Sequence, residues 1–408
     1  MKVLVVGGGA AGLMAAISAA ECGAAVEVVE RNNCLGKKLS ITGKGRCNLT
    51  NDCTIEKVIR NFPDQGNFLY SSLFAFSPQD VKEFFQGLGV KLKVERGHRV
   101  FPLSDRAEEI VQALTDYAQR LGVKVHYNCR VNQLLLKENA VCGSDCGKRR
   151  LKADAVIIAT GGQSYPKTGS TGDGFILAQD AGHTIAPIYP SLVPLETAEK
   201  WSWELSGLTL KNVMVSVFCD GKLLAKEFGE MLFTHFGVSG PVILTLSQTV
   251  CRHLQKGQIT LRIDLKPALS TEQLQVRVQR DLNKYAKKHF QNTLTDLLPA
   301  SLIPVIVKLS TIDPYKKGNQ ISKKERDQLV NILKGLVVSV TKARPLSEAI
   351  VTSGGVSLKE IDPKTMGSRL VKGLYFAGEV LDLAGFTGGF NLQAAWSTGR
   401  AAGRAAAE

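Results

Sequence analysis

Short, fully apolar runs alternate with helix-favouring stretches through residues 1–190. Val3-Leu4-Val5-Val6 has the unbroken apolar character of a strand buried on both faces, and Leu13 to Cys22 is Ala-rich and helix-favouring. Ala25 to Val29 and Val123 to Tyr127 read as further strands, and Ala155-Val156-Ile157-Ile158-Ala159 is the strongest strand signal after the first. Between them the pattern predicts a helix opening at Pro78-Gln79-Asp80 and ending near Gly87, and short strands at 91–94 and 99–102. A helix from Arg106 to about Leu121 follows, capped by Ser104-Asp105. Two short strands near 134–136 and 148–152 are joined by a turn from Cys142 to Cys146, and a helix runs from Phe175 to Ala181. This alternation argues for a mainly parallel, doubly wound sheet.

Near Pro187 the character changes. Pro187, Pro190 and Pro194 mark a linker, after which Val213 to Cys219 alternates as a strand and Asp220-Gly221 turns the chain into Leu223-Leu224. Leu232 to Thr234 and Ile259 to Leu265 read as more strands of the same unit, and Ser239-Gly240-Pro241 starts a helix from Val242 to about Leu254. From Thr271 to Leu336 the pattern is helical, broken at Pro299, Pro304 and Pro314. The opening style then returns, with a buried strand at Leu374 to Ala377 and an Ala-rich helix from Leu392 to Ala407. The expected organisation is one α/β domain in two parts, 1–190 and 345–408, split by a β insertion at 191–270 and a helical, basic segment at 271–344.

With 408 residues the chain has room for two or three well-buried domains, and its 44% hydrophobic content is that of a globular protein. No apolar run reaches the length of a membrane span, and Met1-Lys2-Val3 enters the first strand directly, so a cytoplasmic protein without a signal peptide is expected. The nine cysteines are scattered, and neither a disulfide framework nor a metal site is indicated. Charge changes the picture more. Of a formal net +14, a net +8 lies between Thr271 and Arg344, where fourteen Lys and Arg stand against six Asp and Glu. A solvated helical surface accounts for single lysines; the cluster points to a polyanionic partner.

The candidate chemistry sits where strands end. Gly7-Gly8-Gly9-Ala10-Ala11-Gly12 forms GxGxxG between a strand and a helix, where open N–H groups and the positive helix end attract a pyrophosphate. Glu30, at the end of the second strand, suits the hydroxyls of an adenosine ribose. NAD and FAD both satisfy this pattern. Gly36 to Ser40 and Thr42 to Asn51, rich in Gly, Lys and small polar residues, read as a loop along the dinucleotide, with an ordinary basic loop as the alternative. Thr160-Gly161-Gly162 and Thr168 to Gly174 form a second Gly-rich region, and Gly385 to Asn391, preceded by Glu379 and Asp382, a third. A second grip on the far end of the ligand suits a tightly held FAD better than an exchanging NAD.

The stretches GKKLSITGKGRCNLTN, ATGGQSYPKTGSTGDG, LFTHFGVSGP and GEVLDLAGFTGGFNLQAAWSTG resemble the BaiN/RdsA (YhiN-like) family of bacterial NAD(P)/FAD-dependent oxidoreductases. The resemblance runs from the first strand to the terminal helix. It implies a Rossmann-like FAD-binding domain split by an inserted β-barrel-like domain with a helical subdomain. It places the pyrophosphate on Gly7, Gly9, Ala10, Ala11 and Gly12, and the ribose on Glu30 with Arg31 beside it. The diphosphate path falls to Lys37, Lys38, Gly43, Arg46, Cys47 and Asn48, the adenine to Val131, and the backing of the cofactor to Ala159, Thr160 and Gly161. Gly378, Glu379 and Asp382 match the ribityl region, and Gly388, Gly389, Phe390, Asn391, Leu392 and Gln393 the pyrimidine edge of the flavin.

On this resemblance the expected reaction is delivery of hydride to an electron-poor C=C, with NAD(P)H as reductant. The substrate is either a uridine of ribosomal RNA, favoured by the basic segment 271–344, or a small steroid-like enone; amine oxidation is a further alternative. A non-catalytic FAD-containing RNA-binding module is the rival of another class. A fumarate-reductase-like reading, prompted by Thr171 to Gly174, needs an Arg and His cluster that the six histidines do not supply. For a proton donor the candidates are His235 and Cys47, with Tyr165 and Glu379 behind them. His235 is preferred because it lies in the insertion just before the helix start at Ser239.

Overall fold

Strands without a polar face have to be covered on both sides, and the apolar runs of the first and last segments lie together in one sheet. A computed structural model describes every residue except Asp64 and Lys148. Its contacts divide the chain into two units, Met1–Tyr189 with Leu346–Glu408, and Pro190–Pro345. In the first unit five strands run in the order Leu374–Phe376, Ala155–Ile158, Lys2–Val6, Ala25–Val29, Lys124–His126, with every neighbouring pair parallel. The opening strand is central, and Val3, Leu4 and Val5 are fully buried.

Two helices pack together on this sheet, Ala10–Glu21 and Phe390–Ala405. Their approach depends on absent side chains. A Cβ on Gly399 would lie 2.4 Å from the Ala11 carbonyl oxygen, and one on Gly403 would lie 2.2 Å from that of Ala15. Glycines four residues apart on one helix face thus meet alanines four apart on the other. The first and last segments of the chain are locked backbone to backbone.

Several local expectations are corrected. The turn expected at Cys142 to Cys146 is a strand, Ala140–Asp145, paired with Gln133–Lys137. The reversal instead occurs at Glu138 and Asn139, whose φ values of 50° and 58° are left-handed. The third strand of this sheet is Arg150–Lys152, and the start of the predicted strand, at Lys148, lies outside the described residues. The helix Ala107–Arg120 has no side-chain cap. Asp105 instead bonds Arg46 and Lys93. The Pro-marked linker is largely a strand, Ile185–Ser191, paired with Val351–Val356 in a two-stranded sheet, where each strand is an edge and proline is tolerated.

The second unit is a closed antiparallel barrel in the order Leu195–Thr197, Gly237–Ser239, Lys222–Thr234, Thr209–Cys219, Ile259–Asp264, Leu336–Ala343. Its closing strand falls within the segment expected to be helical. Leu336, Val338 and Val340 face inward and Val337 is 48% exposed, a two-residue alternation that five residues could not distinguish from helix. Helices Thr271–Lys284, Ile303–Ser310 and Lys323–Lys334 share one hydrophobic core with the barrel. No helix among the described residues is long and apolar enough to cross a membrane.

Glu325 gives this helical part an acid sensitivity. Burial alone would raise its pKa, but Lys316 at 2.7 Å and the N–H and hydroxyl of Ser322 outweigh that and hold it at about 2, below the ordinary 4.5. A depressed folded-state value contributes stability that is complete above pH 4.5 and is lost as pH falls toward 2. Glu325→Gln is expected to be less stable than wild type at pH 7 and to lose less stability across that window, measured by urea unfolding at each pH.

Candidate dinucleotide site

Backbone crowding demands two glycines of the turn, Gly7 and Gly12, and leaves Gly9 free. Gly7 has φ 104°, and a Cβ there would sit 2.6 Å from the Ala159 carbonyl oxygen. A Cβ on Gly12 would sit 1.9 Å from the Gly7 oxygen. Both are therefore required by the protein's own packing. Gly9, the N-cap of the first helix, has φ −84°, which any residue adopts, and nothing within 4 Å of its Cβ position. The open space at Gly9 lies against the helix N-terminus, where the first N–H groups lack intrahelical partners. That is the cradle a pyrophosphate fills.

Glu30 is 7% exposed and already holds the turn. Its Oε2 accepts the Gly8 N–H at 2.8 Å, and its Oε1 accepts from the Asn32 N–H and side-chain amide at 2.8 and 2.7 Å. A carboxylate has about four acceptor positions, so one remains for a sugar hydroxyl. Thr160 Oγ1 is buried without a hydrogen bond and lies against Gly174, where a Cβ would meet it at 2.0 Å. Thr160 stands beside Ala159, which crowds Gly7, and Gly161, whose φ is 73°.

The third glycine turn joins the loop at 48–51. With the Asn48 amide oriented to suit its neighbours, its oxygen accepts the Gly389 N–H at 2.9 Å. Asn51 donates to the Gly388 oxygen at 3.0 Å, and Trp396 to the Leu49 oxygen at 2.9 Å. Gly389 has φ 98° and would place a Cβ 2.4 Å from the Thr50 oxygen. This stitching fixes the N-terminus of the helix Phe390–Ala405, whose first-turn N–H groups, on Phe390, Asn391 and Leu392, are free of intrahelical partners. The Asn391 side chain is tied to Gly385 at 2.8 Å. Gln393 is fully buried and bonds Thr50, Phe76 and Ser397, so its amide holds the helix in place and has no atom left for a ligand.

Other predicted residues serve the frame. Glu379 accepts from Lys38 at 2.6 Å, from Ser164 at 3.0 Å and from the Thr352 N–H at 2.8 Å. Asp382 accepts from Gln65 at 2.7 Å, and Gly378 packs its φ 76° turn against Ala11. Ala10 is partly buried beside them, and Val131 is 5% exposed. Arg31 and Arg130 both bind Asp173, at 3.0 and 2.9 Å. Arg46 bonds Glu95 and Asp105 and lies 4.2 Å from the Phe101 ring, so its charge is already met. Gly43 is left-handed at φ 57°, and Lys37 is exposed. Glu379→Gln is expected to weaken the contact with Lys38 and destabilise the fold by about 1.5–3 kcal/mol, the worth of a charged hydrogen bond, read by thermal unfolding.

The two proton-donor candidates fare differently. Cys47 is fully buried and burial pushes its thiol up to about 12, so it gives up a proton poorly at neutral pH. His235 is exposed, with its ring edge-on to Phe236 at 4.9 Å. It belongs to the barrel unit, and neither unit by itself brings it to the glycine turns. Sequence reasoning missed Ser164, Thr352 and Gln65, whose carboxylate partners Glu379 and Asp382 lie 27 to 317 residues along the chain, and gave no hint of the pairing of Arg130 with Asp173. Asp173 was visible only as part of a glycine-rich run.

A family model described as HI0933-like protein Rossmann domain matches residues 1–405. The chain is 33% identical over 410 residues to the 3-dehydro-bile acid delta(4,6)-reductase of Clostridium scindens, covering 100% of this chain and 99% of that one. It is 30% identical over 401 residues to the ribosomal RNA dihydrouridine synthase of Haemophilus influenzae, covering 97% and 96%. Among solved structures, the 3-ketosteroid delta1-dehydrogenase from Sterolibacterium denitrificans aligns over 99% of both chains with a TM-score of 0.53 and 14% identity, a likeness of fold alone.

Proposed function

The chain belongs to the HI0933-like Rossmann family, and on that premise we propose that it is an FAD-dependent reductase acting on an electron-poor carbon–carbon double bond, a uridine of ribosomal RNA. The observation that carries this reading is that two relatives matching nearly the whole chain are named for saturating a double bond, one in a bile acid and one in ribosomal RNA. Substrates differ while the bond chemistry is shared. The basic segment 271–344 supports RNA, because phosphates are met by clustered Lys and Arg and a steroid offers none.

Gly7, Gly9, Ala10, Ala11 and Gly12 would hold the pyrophosphate, Glu30 the ribose, and the N–H groups of Phe390 to Leu392 the flavin's pyrimidine edge. When bound, the flavin supplies the hydride. The chain's own part is electrostatic: the open N–H donors and positive end of the last helix stabilise negative charge placed before them. Because Asn391 and Gln393 are tied to the frame, these donors are held ready and need no reorganisation. For the proton on the neighbouring carbon we propose His235. His235→Ala is expected to retain its FAD and lose turnover; full turnover at full FAD content removes His235 from the reaction.

NAD(P)H is the proposed reductant, visiting the flavin transiently, since the sequence carries one strong GxGxxG. Rapid anaerobic bleaching of the flavin by NADH or NADPH supports an enzyme; inert flavin with salt-sensitive RNA binding supports a non-catalytic module. The deciding experiment is mass spectrometry of ribosomal RNA from cells with and without the protein. A uridine heavier by two hydrogens only when the protein is present is expected. No change, with an enone reduced by the purified protein, favours the second reading, a small-molecule reductase, which the 33% identity to the bile acid enzyme supports.

A further inference from the structure

Two lysine-rich segments of the barrel unit, Lys284-Tyr285-Ala286-Lys287-Lys288-His289 and Tyr315-Lys316-Lys317, are brought together by backbone pairing. The Phe290 N–H donates to the Lys316 oxygen at 2.8 Å, the Gly318 N–H to the Lys288 oxygen at 3.0 Å, and His289 and Lys317 form a β-bridge. The like charges are therefore held side by side by hydrogen bonds that are indifferent to them. Lys284 is spent on Asp296 and Lys316 on Glu325, each at 2.7 Å. Lys288 lies 4.5 Å from the Tyr285 ring. Lys287 and Lys317 are exposed and make no ion pair among the described residues.

An aromatic ring stands open in the same place. Tyr315 is 66% exposed; its backbone N–H donates to Asp313 Oδ1 at 2.9 Å, and its ring meets that of His289 edge-on at 5.7 Å and 84°. At this junction the Gln291 N–H donates to the Pro314 oxygen, and both residues line a groove of about 730 Å³. Asn292, Thr295, Lys308 and Asp313 are among its polar lining residues, and Val307 is among the apolar ones.

Unspent lysines, an exposed aromatic ring and a groove with Gln291 and Asn292 in its lining are the three parts that suit an unpaired nucleotide: phosphates, base face and base edge. An anionic membrane would use only the lysines. We propose that this junction binds a single-stranded RNA segment, with a base on Tyr315 and phosphates on Lys287 and Lys317. The choice of RNA over another single strand rests on the function proposed above; the surface itself does not.

Full-length protein is titrated into a fluorescein-labelled oligouridylate at several salt concentrations and followed by anisotropy. Lys287→Ala/Lys317→Ala is expected to weaken binding and to flatten the slope of log affinity against log salt by about 1.4, two single-strand phosphates' worth. Tyr315→Ala is expected to weaken binding by roughly 5- to 100-fold, the range of one base-on-aromatic stack, with the slope unchanged. All three side chains are exposed, so thermal unfolding of the variants should match wild type. Failure of wild type to bind, or wild-type binding by both variants, overturns the proposal. So does equal capture by phosphatidylserine vesicles with no effect of Tyr315→Ala, which assigns a membrane surface. Binding that the variants lose, without any dihydrouridine in cells, keeps the surface and defeats the reduction; dihydrouridine with unaffected variants does the reverse.

Discussion

A Gly9→Asp protein is expected to fold like wild type and to purify without flavin. Gly9 has an ordinary φ of −84° and no atom within 4 Å of where a Cβ would stand, so the protein itself has no objection to a side chain there. Only a ligand would object. A carboxylate against a pyrophosphate adds like-charge repulsion worth several kcal/mol to the loss of space, so affinity should fall by at least a hundredfold and turnover with it. Flavin absorbance per folded protein, together with a thermal melt, separates this from misfolding. Gly7→Ala and Gly12→Ala, whose new methyls would meet carbonyl oxygens, are expected to fail in the melt as well. A yellow, active Gly9→Asp protein would place the cofactor elsewhere.

Gly399→Val is expected to cost about 3 kcal/mol or more, the upper range of overpacking, because the added Cβ would lie 2.4 Å from the Ala11 carbonyl oxygen and backbone cannot rotate away as a side chain can. Urea unfolding reads this directly. The loss should extend to the cofactor, since Ala11 is in the first turn of one helix and Gly399 in the helix that begins at Phe390. Forcing the two apart moves both free N-termini that the proposed site uses. Gly87→Ala is the control: that glycine ends a helix with nothing within 4 Å of its Cβ position, and the substitution should change stability by less than about 1 kcal/mol. A Gly399→Val protein as stable as wild type would mean that the helices are not closely packed.

The strands of the parallel sheet were legible because burial on both faces leaves no polar position, a signal that survives without any knowledge of neighbours. The same holds for helix starts marked by a proline in the first turn, such as Pro78–Gly87, which Ser77 also caps, and Pro241–His253. The barrel was only half legible. Leu336–Ala343 alternates, but it follows a long helical stretch and its partner strands are Leu195–Thr197 and Ile259–Asp264, remote in sequence. The Pro-rich 185–191 stretch read as a linker because proline lacks the N–H of a central strand, a rule that does not bind at an edge.

Sequence alone determined that a strand, a glycine turn, a helix and an acid stand in order at residues 3–30, and that the last segment repeats this plan. Those are local matters, decided by φ angles that only glycine reaches comfortably and by apolar periodicity. Tertiary structure decided which residue types remain available to a ligand. Arg46, Gln393 and Cys47 look chemically able in sequence, yet Glu95 and Asp105, Thr50 and Phe76, and complete burial have already taken them up. Gly9 looks ordinary, yet its surroundings leave a space at a helix N-terminus. A side chain's chemistry is written in its identity; whether that chemistry is already satisfied depends on partners far along the chain, and only the fold brings those partners within reach.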